Sequence, residues 1–106
     1  MLTSTIVVED AAIVTPHGDI DFEALPSLRA AARALPAEVR KVTWDLSHVS
    51  FADTAVLHLL DEQCLAAHHH ARRVFVRGLR PQPSRLFQVA ATTLPDCNWA
   101  EILPSE

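Results

Sequence analysis

The nineteen residues from Val42 to Leu60, VTWDLSHVSFADTAVLHLL, constrain the fold more than any other stretch of this chain. Val42-Thr43-Trp44-Asp45-Leu46 has the length and β-forming composition of a buried strand. Ser47 and His48 interrupt it, and apolar Val49 and Phe51 follow. From Asp53-Thr54 onward the period changes: Leu57, Leu60, Cys64 and Ala67 recur at three- and four-residue spacing, one face of an α-helix. Asp53 has the chemistry of an N-cap, because its carboxylate can accept a hydrogen bond from a first-turn amide. Thr54 then falls in the first turn, with its hydroxyl at the mouth of a strand-loop-helix unit. That is where an α/β domain exposes its chemistry.

The rest of the chain repeats this alternation. Thr5-Ile6-Val7-Val8 reads as an edge strand and Ala11-Ala12-Ile13-Val14-Thr15 as its hairpin partner across a turn at Glu9-Asp10. Pro16-His17-Gly18-Asp19 is expected to break the second strand, since proline cannot donate to a ladder. Phe22, Leu25, Leu28, Ala32 and Leu35 trace a first helix capped by Asp21. With Pro26 confined to a first turn, that helix is expected to start near Leu25, led in by Phe22 and Glu23. The histidines at 68–70 end the second helix, Arg72 to Arg77 form a fourth strand, and Ser84 caps a third helix carrying Leu86, Phe87, Val89 and Ala90. Asn98 to Leu103 suggest a short last strand. The order β-β-α-β-α-β-α, with a further β at the end, implies one α/β domain over residues 1–106. Its mainly parallel, mixed sheet has four to five strands, with three or more helices packed on it.

Composition narrows the function. At 106 residues and formal net charge −4, the chain lacks the basic surface of a general nucleic-acid or anionic-membrane binder. No apolar run approaches the roughly 20 residues that span a bilayer, and the start has no basic signal-peptide character, so a cytoplasmic protein is expected. Two cysteines make no disulfide framework, and Cys64, on the apolar helix face, is expected as a buried reduced thiol. The exposed first strand leaves edge pairing, and hence a homodimer, open.

Candidates for chemistry thin out quickly. His58 is ten residues from His68, too far along a straight helix for one metal cluster, and histidines at a helix C-terminus are explained by its dipole. The arginines at 72, 73, 77, 80 and 85 could hold an anion but read better as a solvated strand edge and turn. With only Gly18 and Gly78, no glycine-rich phosphate cradle can be built, and no motif supplies a base to activate Thr54 as a nucleophile. No metal, no cofactor and no self-contained active site are expected, which sets a small metal-dependent or anion-processing enzyme last among the readings.

From Asp45 to Leu60 the chain also carries D-L-S-x-V-x-F-x-D-[ST] ahead of an apolar helix, and Gly18-Asp19-Ile20-Asp21 precedes the first helix. Both resemble the STAS domain of bacterial anti-sigma factor antagonists, whose element order also agrees. The resemblance implies an interaction protein that, unphosphorylated, binds an anti-sigma factor of the serine/threonine kinase type and so frees a sigma factor, a partner switch of stress-response regulation. It implies Thr54 as the phosphate acceptor and Asp53 as the aspartate beside it, with Asp21 near the same surface. Ser47, Ser50, Ala55 and Val56 complete the expected contact patch. Many members carry glycine two residues after the acceptor; here Val56 stands there, removing close backbone approach and adding bulk. A STAS-type module that binds a protein or ligand without being phosphorylated is the alternative.

Overall fold

A computed structural model describes residues 1–93. It is a single α/β domain in the order β1 (Leu2–Val8), β2 (Ala11–His17), a 3-10 turn (Phe22–Ala24), α1 (Leu25–Arg33), β3 (Lys41–Asp45), α2 (Ala55–His70), β4 (Arg73–Arg77) and α3 (Pro81–Thr93). The four strands form one sheet in the order β1-β2-β3-β4. β1 is antiparallel to β2, and β2-β3 and β3-β4 are parallel. A hairpin feeding two crossover units gives this mixed arrangement, because parallel neighbours need a helix-length return. The expected strand at Asn98 to Leu103 lies outside the described residues.

Side-chain alternation sets the two faces. Ala12, Val14 and Pro16 of β2, Val42 and Trp44 of β3, and Val74 and Val76 of β4 are buried, and with Leu25, Leu28, Leu57, Leu59, Leu60 and Phe87 they make one core between sheet and helices. The opposite face carries Ile6, Ile13, Thr43 and Phe75 in one cross-strand row. Lys41 Nζ and the Arg73 guanidinium sit 5.2 and 5.1 Å from the Phe75 ring centroid, which shields part of that face by cation–π contact.

Three local readings need correction. Pro16 does not break β2; the strand runs on to His17. β3 pairs with β2 only over Ala11–Val14, so proline lies beyond the parallel ladder and its missing N–H costs nothing on that side. α3 begins at Pro81, not after a cap at Ser84; the Ser84 amide already donates to Arg80 O at 2.9 Å. Pro81 and Pro83 both fall in the first turn, where amides have no helical acceptor, so they start the helix. Cys64 is half-buried and disulfide-bonded. It is partly buried and packs against the edge of the core; Cys97 is outside the described residues. The lead-in to α1, by contrast, is as the sequence implies: Asp21 Oδ1 accepts from the Ala24 amide at 3.1 Å, and Pro26 lies at the first positions of α1.

The arginines do not form one cluster. Arg72 donates to Val39 O at 2.8 Å and Pro36 O at 2.7 Å, Arg77 pairs with Asp45 at 3.2 Å, and Arg73 covers Phe75. Among the described residues no helix is long and apolar enough to cross a membrane, and no group of three metal-ligating side chains converges.

Candidate functional site at the start of α2

Two loops lie side by side at the C-terminal end of the parallel strands. The Gly18 amide donates to His48 O at 3.3 Å, the Ile20 amide to Phe51 O at 3.1 Å and the Asp53 amide to Ile20 O at 3.0 Å, with Ile20 and Ala52 bridged as a parallel pair. The His17 and His48 rings stack above this seam, centroids 4.7 Å apart. Ile20 and Ala52 are fully buried, so the Gly18–Asp21 turn is locked to the segment that leads into α2. Asp19, Asp21 and Asp53 therefore belong to adjoining loops, as the two separated motifs imply.

Asp53 caps α2. Its Oδ1 accepts from the Ala55 amide at 2.8 Å, and its carbonyl from the Val56 amide at 3.2 Å. Thr54 follows in helical conformation, its carbonyl accepting from Leu57 and His58. Its side chain is exposed and takes no capping bond. The Ala55, Val56, Leu57 and His58 amides are thus already satisfied by Asp53 and by the backbone, so a group added at Thr54 would meet the positive end of the helix dipole but none of these four donors.

Aromatic side chains flank the hydroxyl. Phe22 is 55% exposed and tilts against His58, one turn beyond Thr54, with centroids 5.8 Å apart; Phe51 is 49% exposed in the loop just before it. Exposed aromatic side chains of this kind are enriched in contact patches. Neither stands out in sequence, because each reads as an ordinary apolar position.

A second residue without a motif signal fixes the loop. Gln82, at the start of α3, donates from Nε2 to Ala52 O and accepts at Oε1 from the Ala52 amide, both at 2.9 Å. This two-way amide clamp spans thirty residues of sequence and holds the backbone two positions before Thr54. Gln82→Ala should cost about 1–3 kcal/mol by leaving a buried amide and carbonyl unpaired. Hydrogen exchange should localise the loss to residues 50 to 56 and leave β3 protected.

The floor of the loop is built on Asp45, whose Oδ1 accepts from the Ser47 amide at 3.0 Å while Oδ2 meets Arg77. Burial pushes the Asp45 pKa up, but the Ser47 amide and hydroxyl and Arg77 outweigh it, and the net direction is down. A carboxyl held below its unfolded value contributes stability above that unfolded value and loses it as pH falls through the folded one. Asp45→Asn should therefore flatten the acid limb of a stability–pH profile and leave the neutral region less stable. Gly78 approaches the same carboxylate at φ +70°; a Cβ there would stand 2.8 Å from Asp45 Oδ1 and 3.0 Å from both Ser47 Cβ and Ser47 N. Gly78→Ala should lower unfolding free energy by about 1–3 kcal/mol in urea titrations, from strain and collision together.

A family model described as the STAS domain matches residues 3–94. The chain belongs to the STAS family. No curated protein matches significantly. Among solved structures, the anti-sigma factor antagonist SpoIIAA in its unphosphorylated form superposes with TM-score 0.75 at 16% identity, covering 99% of this chain and 90% of that one. The STAS domain of an anti-sigma factor antagonist from Rhodobacter sphaeroides gives TM-score 0.58 at 18% identity over 72% of this chain and 84% of that one. The murine anion transporter Slc26a9 gives 0.76 at 17% identity over 93% of this chain but only 17% of its own length. At such identities these likenesses speak for the fold.

Within the STAS frame the expected contact residues divide. Asp21, Ser47, Ser50 and Thr54 are exposed and Asp53 is half-buried. Ala55 and Val56 are not on the surface: they are 0% and 1% exposed and belong to the core. Their expected place in a contact patch is corrected accordingly. The turn from Asp53 directs positions 55 and 56 inward, so the bulk of Val56 is taken up by packing and does not obstruct approach to Thr54.

Proposed function

We propose that this STAS domain is an anti-sigma factor antagonist: unphosphorylated, it binds an anti-sigma factor of the serine/threonine kinase type, and phosphorylation of Thr54 releases it. The observation that carries this reading is the exposed, uncapped Thr54 hydroxyl on a helix N-terminus, flanked by exposed Phe22 and Phe51. The likeness to SpoIIAA supports it. The domain is the substrate of the switch, without catalysis, metal or cofactor of its own, and acts as a cytoplasmic partner-switching phosphoprotein in bacterial stress-type transcription regulation. Cytosolic disulfides are rare, and the bond at Cys64 is the one observation that pulls against that location.

A phosphate adds about −1.5 to −2 charges beside Asp53 and the loop bearing Asp19 and Asp21. Thr54 is exposed, so the fold tolerates the charge, and the effect falls on the interface. Affinity capture from the native host with Thr54→Ala as bait should recover a protein kinase that also binds a sigma factor; capture of no kinase would reject the assignment. The alternative, a module that is never phosphorylated, rested on the bulk of Val56, which the core absorbs. The same fold in an anion transporter keeps it as the competing reading. An unchanged mass of the native protein under stress and non-stress conditions would favour it.

A further inference from the structure

Among the described residues, β1 exposes more large apolar side chains than any other element. Leu2, Ile6, Val7 and Val8 of β1 are 73%, 61%, 41% and 64% exposed. Among the described residues β1 is an outer strand of the sheet, seven residues long, LTSTIVV, with no charge and no proline. Natural edge strands are usually protected by such residues, since their open amides and carbonyls template pairing with another chain. The other edge, β4, has that protection: Arg73 and Arg77 stand at its two ends.

We propose that two copies of this chain pair antiparallel through β1, joining their sheets into one of eight strands. A two-fold axis at Thr5 sets Thr5 against its own copy, Ser4 against Ile6, Thr3 against Val7 and Leu2 against Val8. Leu2, Ile6 and Val8 lie on one face of β1, the face away from the helices, because Thr3, Thr5 and Val7 align with the buried Pro16, Val14 and Ala12. The register therefore stacks apolar side chains of both copies along one seam.

Charge and symmetry select a second copy as the occupant. Pairing β4 with its own copy would set Arg73 against Arg77 across the axis, a like-charge contact. Pairing β1 with β4 of another copy is head-to-tail and cannot close as a dimer, only as a larger ring or an open filament. β1 against β1 closes with no charged pair, and a strand without charge carries nothing that would select a foreign partner. A ladder of seven residues is about 24 Å long. With its apolar side chains it buries on the order of 1,000 Å², at the low end of specific interfaces. An interface of this size calls for a test over a wide range of chain concentration. The β1 edge lies across β2 from β3 and α2, so the Thr54 surface stays free in both copies.

Sedimentation of the untagged full chain under reducing conditions, from about 1 μM to 1 mM, should show the mass rising from one chain to two. Hydrogen exchange should slow in β1 over the same range. Ile6→Lys and Val8→Lys, both at exposed positions, should remain monomeric with unchanged circular dichroism and melting. A wild-type chain that is monomeric throughout overturns the proposal. So does a dimer that survives both lysine variants, or protection of β1 gained only from a different protein.

Discussion

Phosphorylated at Thr54, the protein should bind the anti-sigma partner proposed for it about a thousandfold more weakly than the unmodified chain, equivalent to roughly 4 kcal/mol. The magnitude comes from desolvation. A partner that closes over Phe22, Phe51 and the neutral hydroxyl would bury a dianion that the next two amides cannot compensate: the Ala55 amide is already bound by Asp53, and the Val56 amide by the Asp53 carbonyl. Breaking a buried polar fit in this way costs several kcal/mol. Thr54→Asp carries one charge in place of two on a shorter arm, and should weaken binding about tenfold or more. Thr54→Ala should bind within about threefold of the unmodified protein and be insensitive to ATP. Calorimetric titration of the partner against the three forms reads the series. Because Thr54 is exposed, all three should melt within a few degrees of one another, which separates an interface effect from a folding defect.

The second large effect is on stability. Trp44 is 1% exposed on β3, between β2 and β4, and Trp44→Ala should cost about 3–5 kcal/mol. For a domain whose total stability is of the order of 5–15 kcal/mol, that brings the variant close to unfolding at 37 °C. Trp44→Phe should cost much less, about 1–2 kcal/mol. The indole Nε1 is buried without a hydrogen-bond partner among the described residues, so the phenyl ring loses packing volume while removing an unsatisfied donor. Urea denaturation of both variants gives the comparison, and a Phe variant as unstable as the Ala one would show that the indole N–H is in fact bonded.

The elements that were legible in the sequence share a cause: their signals are local. β2 alternates inward Ala12 and Val14 with outward Ile13 and Thr15, and Asp21 with Pro26 marks the start of α1 within five residues. The cap at Asp53 and the exposure of Thr54 follow from a single Asp-Thr pair at a change of period. What was not legible depends on contacts between distant segments. Gln82 has no local signature, yet its amide holds Ala52 across thirty residues. The exposure of Phe22 and Phe51 cannot be read from residue type, since phenylalanine at such spacing is usually core. Val56 was misplaced for the converse reason. At the start of α2 the buried face covers Ala55, Val56, Leu57, Leu59 and Leu60, wider than one helical stripe, because the cap turns Ala55, Val56 and Leu57 together against the core. Pro16 shows the same limit, as it reads as a breaker until its ladder position is known.

The most direct test of the account is to incubate the protein with its cognate anti-sigma kinase and ATP and to map the phosphate by mass spectrometry. The account predicts one phosphate, on Thr54, with Thr54→Ala taking none. Phosphate on Ser47 or Ser50, or none on the unmodified chain, would contradict it.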